Sequence, residues 1–503
     1  MSDRPLYPEL QLPGEVVDTL RLMNPWWEGR PAKPLPTTER HLVAQLERRL
    51  RDRLAPIVVL RGPRQIGKTT AQQQLLQKLL ARGVPAKSIL RVQWDELGEL
   101  QKLGKLESPI LRVVEWYERN VLGRTLNQAA HDGQSTYVFF DEVQNLKHWS
   151  EQLKFLVDQH STQVVVTGSS ALRIERGRDS LAGRITTLEA GVLSLTEIAR
   201  FRRIDLGQPF LADNGLEPLT RRDFWAELER HGRARATDRD RVFAWFSERG
   251  GYPLAHDRAD IDWPKIADQL NETVIQRVIQ HDLRLGDVGR KRDQQLLEEL
   301  FRLVCRYAGQ QPDRSLLRRE IDRALHGNIG EQRVGNYLEF LGETLLVRLI
   351  EPLEIRLKKK RSAAKLCLSD HALRASWLQE IVPLAPDRLA MEPHLATLAG
   401  HIAESVVGAC LSTITGLDIS HVPDRKDQPE LDFVITVGTK RIPIEVKYQR
   451  RIDPLRDTEG LRTFLENTSN NAPFGLLVTQ SDGAEIPDPR IIALPLSSLM
   501  LLR

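Results

Sequence analysis

The chain has little cysteine: Cys305, Cys367 and Cys410 are its 3 in 503 residues, far apart and without metal-ligand spacing. That excludes a zinc ribbon or a disulfide framework and suits small buried hydrophobes in a reducing cytoplasm. Membrane-length apolar runs are also lacking, and the opening MSDRPLYPEL has no signal-peptide apolar core, so no membrane partner is expected. There is no internal repeat and no long low-complexity tract. Nor is there charge of one sign: 72 basic against 68 acidic residues leave +4, so any nucleic-acid binding must rest on local patches. What is there, 41% apolar and 28% charged residues, is an ordinary globular composition. The length exceeds what one core serves and suits roughly three or four domains.

The most specific stretch is Ile57 to Thr70, IVVLRGPRQIGKTT. A β-prone apolar run leads into G-x-x-x-x-G-K-T, formed by Gly62, Pro63, Arg64, Gln65, Ile66, Gly67, Lys68 and Thr69, and a helix-prone segment follows from Thr70. The glycines let backbone N–H groups turn inward around the phosphates of ATP, and the helix N-terminus adds a favourable dipole. Lys68 would reach the β/γ-phosphates and the Thr69 hydroxyl would hold Mg²⁺. Downstream, TYVFF (136–140) reads as a buried strand ending in Asp141-Glu142. An aspartate there suits the Mg²⁺ shell, and Glu142 would face the attacking water. QVVVT (163–167) is a further strand, with Thr167, Ser169 and Ser170 at its tip as candidates to sense the γ-phosphate. Ser169 is counted with the ATP-binding set, but the sequence does not choose among them. Strands alternating with helices over residues 40–204 predict an α/β, doubly wound parallel core.

Residues 1–39 are rich in proline and carry Trp26-Trp27, which predicts an extended arm packed on the next domain or a neighbouring subunit. Residues 205–290 read as a charged helical lid, with RHGRARATDRDR (230–241) as a solvated face. In residues 291–368, three amphipathic helices precede two β-prone runs, the pattern of a winged helix. Between those runs Lys358, Lys359, Lys360 and Arg361 form a positive cluster suited to DNA phosphates, beside a candidate recognition helix with Arg333 and Asn336. Residues 369–503 hold a predicted hairpin with Asp432, Glu445 and Lys447 spaced D-x₁₂-E-x-K. Glu445 and Lys447 share a strand face. Asp432 and Glu445, with Glu404 from the preceding helix, could ligate Mg²⁺, and Lys447 could orient or activate a water.

The set GPRQIGKTT, FFDEVQNL, VVVTGSSALR and SLAGRITTLEAGVLSLTEI resembles the AAA-type ATPase core of a large prokaryotic family. Its members look like an ATPase core, a small helical and winged-helix part, and a carboxy-terminal PD-(D/E)xK restriction-endonuclease-like domain. The match continues at Gly250-Gly251-Tyr252-Pro253, at His281 to Leu283 and at the EVK of 445–447. The resemblance implies that Arg184 is the arginine such ATPases present to ATP, often that of a neighbouring subunit, and hence a homo-oligomer, a ring being one arrangement. One departure is that Pro429 stands three positions before Asp432 rather than directly before it. The implied protein is a cytoplasmic, oligomeric ATPase acting on DNA, with an attached nuclease-like domain. The alternatives are a nucleotide-operated signalling switch whose last domain binds without catalysis and, third, a protein remodeller.

Overall fold

The structure, a computed structural model, describes residues 12–97, 108–143, 146–168, 181–211, 215–279, 294–354, 363–424 and 429–503. Residues 1–62 with 67–190 form one compact unit, and residues 63–66 with 191–503 the other. The first unit thus ends at Ala190, before the boundary expected at 204.

The first unit is built on strands β1 (Ile57–Arg61), β2 (Ile89–Gln93), β3 (Tyr137–Asp141), β4 (Gln163–Gly168) and β5 (Ile185–Glu189), ordered β2-β3-β4-β1-β5 among the described residues. All pairings are parallel. Ile57, Val58, Val59 and Leu60 are buried in succession, which requires cover on both faces and explains why β1 reads as an unbroken apolar run. The register sets Gln93 beside Asp141, and Asp141 beside Thr167, at the carboxyl ends of the strands. Ligands of open α/β sheets bind at that end.

The expectation of an extended amino-terminal arm is corrected: Gly14–Met23 is a helix. The prolines stand outside it at Pro13 and Pro25, while Val16, Leu20 and Met23 form a buried stripe at helical spacing. The turn after it caps the outer edge of β2. Asn24 Oδ1 accepts from the Arg91 N–H at 2.7 Å, Asn24 Nδ2 donates to the Arg91 carbonyl at 2.8 Å, and Trp27 Nε1 donates to the Ile89 carbonyl at 2.8 Å. Main-chain groups that an edge strand would leave unpaired are satisfied by side chains.

The second unit has a mixed sheet of seven strands among the described residues: β6 (Val347–Pro352), β7 (Lys365–Leu368), β8 (Asp418–Val422), β9 (Leu431–Val437), β10 (Lys440–Lys447), β11 (Gly475–Thr479) and β12 (Ile491–Pro495). Their order is β12-β11-β10-β9-β8-β6-β7. Helices Gln294–Arg306, Arg314–Leu325 and Glu331–Glu343 precede the β6–β7 hairpin. This hairpin does not stand apart, because β6 pairs in parallel with β8 through Glu351 and Pro352. Along β9, Phe433 and Ile435 face one core while Val434 faces another, the period-two alternation of a sheet covered on both sides; Leu431, first in the strand, departs from it and packs with Val434. The first of these cores also takes Trp225 and Phe243 from helices Arg222–Ala234 and Ala236–Arg249.

The run expected as a solvated face is corrected at Arg239. Its side chain is 1% exposed, ion-paired to Asp482 at 2.6 Å, and it donates to Ser498 Oγ at 2.7 Å. The helix Pro393–Ser412, long and apolar enough to cross a bilayer by composition, buries Ile402, Ala403, Val407 and Leu411 against this sheet.

Gly250-Gly251-Tyr252-Pro253 is the knot of the second unit. Asp370, buried at the cap of helix His371–Leu378, accepts from the Gly251 N–H at 2.7 Å and the Ala372 N–H at 3.0 Å. The Gly251 carbonyl accepts from the Leu193 N–H at 2.7 Å. Gly250 adopts φ 68° and ψ −157°, a region open essentially only to glycine. A Cβ there would overlap Asp370 and come within 2.5 Å of Ala372 Cβ. Gly250→Ala is therefore expected to destabilise the protein by about 2–4 kcal/mol. Chemical denaturation monitored by tryptophan fluorescence checks this, and an unchanged midpoint would refute it.

Candidate functional site

At the end of β1 the chain turns through Gln65 (φ 62°) and Gly67 (φ 89°), both left-handed, before helix Lys68–Ala81 begins. Lys68 is buried and its Nζ donates to the Gly62 carbonyl at 2.9 Å. The Thr69 hydroxyl donates to Asp141 Oδ2 at 2.7 Å, and the Thr167 hydroxyl donates to Asp141 Oδ1. Both carboxylate oxygens of Asp141 are thus held, one from the loop and one from the neighbouring strand. Burial pushes the Asp141 carboxyl up, against the hydrogen bonds from Thr167 and Thr69. A buried arginine, Arg91 of β2, sits 3.8 Å from Asp141 and donates to Gln93 at 2.7 Å. Glu142 takes φ 53°, and its N–H donates to the Thr167 carbonyl at 3.0 Å. A non-glycine residue in this region stores strain of about 1–3 kcal/mol, which persists where surrounding structure over-determines it.

Arg184 is elsewhere. It immediately precedes β5, whose first residue is in register with Ile57, and its carbonyl accepts from the Ile57 N–H at 3.1 Å. It therefore stands at the amino ends of the strands, about 16 Å along β1 from the phosphate-loop end at ~3.3 Å per residue. Its guanidinium pairs with Asp158 of helix Trp149–Gln159, with Nε 2.5 Å from Oδ1 and Nη2 3.0 Å from Oδ2.

The second unit brings the other expected residues into one cleft of about 590 Å³, lined among others by Glu404, Asp432, Glu445 and Lys447. Glu445 Oε1 lies 2.6 Å from Lys447 Nζ, as two side chains on one face of β10 should. Asp432 Oδ2 accepts from the Val446 N–H at 2.8 Å. Glu445 Oε2 is buried and, among the described residues, has no hydrogen-bond partner.

A residue that no motif marked completes the group. Lys365, first in β7, is 1% exposed, with Nζ 2.6 Å from Glu404 Oε2 and 2.5 Å from Asp432 Oδ1. Its position follows from tight packing. Helix Ala396–Ser412 crosses β7 at Gly408, where a Cβ would overlap Cys367 Sγ, and Ser405 Oγ accepts from the Leu368 N–H at 2.9 Å. Gly309 (φ 83°) lies against the His401 carbonyl, and its N–H donates to Leu366. Among the described residues no three His, Cys, Asp or Glu side chains group to hold a metal ion. Of the acids expected as Mg²⁺ ligands, Glu404 and Asp432 are paired with Lys365 and Glu445 with Lys447. Removing one partner of such a buried group costs about 3–5 kcal/mol, because a charge is left uncompensated.

Residues 54–199 match the AAA domain family. This region is an AAA-type P-loop ATPase domain. Residues 243–382 and 399–499 match two domains of unknown function, DUF8612 and DUF4143. No curated protein sequence matches the chain. Solved structures that align with it include the Walker-type ATPase PABY2304 of Pyrococcus abyssi, at 15% identity, 70% of this chain, 99% of that chain and TM-score 0.39. Cdc6p from Pyrobaculum aerophilum aligns at 12% identity, 70% and 95% coverage and TM-score 0.24. The Thermotoga maritima RuvB Holliday junction branch migration motor aligns at 14%, 68% and 93% coverage and TM-score 0.26.

Within the ATPase domain, Ser169 and Ser170 lie outside the described residues, as do Lys358, Lys359, Lys360 and Arg361 beyond it, and His281 to Leu283. Of the sensing candidates, Thr167 is the one seen on Asp141. Arg91 and Lys365 are the residues that sequence reasoning missed. Each is a lone basic residue in an apolar strand, and that anomaly was the available signal.

Burial and the neighbouring Asp432 push the Glu404 carboxyl up to about 7 and that of Glu445 up to about 8, from 4.5. A carboxyl raised on folding binds more protons in the folded state, so its contribution is full below 4.5 and lost as pH rises through about 8. Melting temperature is expected to fall across that window, and to fall less in Glu445→Gln. Thermal melts across pH check it, and equal slopes would refute it.

Proposed function

We propose that the chain is an ATP-hydrolysing AAA-type ATPase that works on DNA as a homo-oligomer, each active site being completed by Arg184 of a neighbouring subunit. One observation carries this reading: Thr69, Asp141 and Thr167 are locked together at the carboxyl ends of the strands, while Arg184 lies at the amino ends. An arginine so placed is out of reach of its own phosphate loop, and its guanidinium, paired with Asp158, is partly exposed.

In this reading Gly62, Pro63, Arg64, Gln65, Gly67, Lys68, Thr69 and Thr70 cradle the triphosphate, with Ser169 beside it, and Glu142 orients the water. The oxygen pair of Thr69 and Asp141 fits Mg²⁺, which prefers a few hard ligands and retained waters. Bound there, Mg²⁺ neutralises charge on the β- and γ-phosphate oxygens. DNA contact is supported by the basic cluster Lys358 to Arg361 between β6 and β7, and by Arg333 and Asn336 on the exposed side of helix Glu331–Glu343, the arrangement of a winged helix. Asp432, Glu445 and Lys447 on a hairpin of a mixed sheet support a restriction-endonuclease-like fold for the last region. The pairing of Glu404 and Asp432 with Lys365 favours a binding surface there over the metal-dependent cleavage that the resemblance implies.

Lys68→Ala is expected to abolish ATP turnover. Arg184→Ala is expected to lower kcat by about 10³-fold or more while nucleotide affinity stays unchanged. Mixing the two variants should restore part of the DNA-stimulated activity, because a Lys68 site then meets an intact Arg184. Turnover assays of the single and mixed proteins, with and without duplex DNA, check this. Wild-type turnover in Arg184→Ala, or no recovery on mixing, would refute the shared site, and indifference to every DNA form would favour a signalling switch.

A further inference from the structure

The carboxylate cleft of the second unit has a feature that neither the ATPase nor the nuclease resemblance requires. Three acids, Glu404, Asp432 and Glu445, meet two lysines. Lys447 serves Glu445 at 2.6 Å, and Lys365 serves the other two at 2.6 and 2.5 Å. The Lys365 ammonium is held as a bound ion is held. It is shielded from water, bridges oxygens of a helix and a strand, and lies 5.1 Å from the centre of the Phe433 ring, within range of a cation–π contact. Asp432 has no oxygen left without a donor, since Val446 N–H takes the other one.

A carboxylate oxygen on each side is paired with the ammonium, which offsets the cost of burying it. Among the described residues Glu445 Oε2 has no hydrogen-bond partner, so acceptor capacity is present in the cleft, yet among them no three His, Cys, Asp or Glu side chains group to hold a metal ion.

We infer that Lys365 is the resident cation of this cleft: its ammonium ties Glu404 to Asp432 as a divalent ion would, and the site is complete without metal. It is a positioning residue, supplied by the β6–β7 hairpin to carboxylates on the helix and β9. The inference goes beyond the ATPase reading and rests on the second unit alone. Lys68 and Arg184 take no part in it.

The test is Mn²⁺ binding to the nucleotide-free full chain, read by the electron paramagnetic resonance of free Mn²⁺ and by melting temperature. Four proteins are compared: wild type, Asp432→Asn, Lys365→Met, and Lys365→Met with Asp432→Asn. Wild type and Asp432→Asn are expected to bind Mn²⁺ alike. Lys365→Met should melt lower and gain a site at least about tenfold tighter than any in wild type, because its two acids are left without a counter-ion. Mn²⁺ should then raise its melting temperature, and the added Asp432→Asn should remove both effects. An Asp432-dependent Mn²⁺ site in wild type would overturn the inference while leaving a metal site in place, and that comparison decides even if Lys365→Met does not fold. Binding to folded Lys365→Met no tighter than to wild type would also overturn it. Loss of ATP turnover in Lys68→Ala is unaffected by either outcome, so the two readings fail separately.

Discussion

A buried ammonium shared by one buried and one part-buried carboxylate is the interaction on which the second unit depends. None of Lys365, Glu404 and Asp432 can be desolvated alone at tolerable cost. The three come from a hairpin, a helix and a sheet that are far apart in the chain, so closing the group requires those elements to be mutually in place. The apolar cores around it, with Phe433, Ile444 and Val407 on one face, supply most of the driving force. The charges supply uniqueness, since a slip of one residue along β9 would turn Asp432 to the other side of the sheet.

The first unit is governed by polarity of a different kind. In a parallel sheet all carboxyl ends lie together, so Gly62, Asp141 and Thr167, distant in sequence, arrive at one rim by topology alone. The same rule sends whatever precedes β5 to the opposite rim. Asp158 holds Arg184 there in a paired, partly exposed state, so a presenting role would require exchanging one anionic partner for another.

Much of this was legible in the sequence, and the reasons differ by element. The phosphate loop and Asp141 were readable because their chemistry demands fixed residue types at the end of a recognisable strand. The hairpin of Asp432 and Glu445 was readable from period-two alternation around Gly438-Thr439. Local rules did worse where long-range partners decide. Proline content suggested an extended segment at residues 14–23, but the prolines only bracket a short helix that packs on β2. Charge density suggested a solvated run at 230–241, but Arg239 finds Asp482 far along the chain. Lys365 was legible as the first residue of a β-prone run, but not as the partner of Glu404 and Asp432, which lie 39 and 67 residues on. Gly250 and Gly251 were visible as a motif, but their cause, the buried Asp370, lies more than a hundred residues on.

The strand order of the second sheet has a consequence for how its parts are inherited. The two domain families of unknown function divide the sheet between them: one match takes in β6 and β7, the other begins at 399 and takes in β8 to β12. Neither piece is self-sufficient in this chain. A relative with only the later piece must shield the flank of β8 by other means. It must also find a new neutralising partner for the acids at the positions of Glu404 and Asp432, or lose them. Those substitutions should travel together, as one exchange of a cation for whatever replaces it.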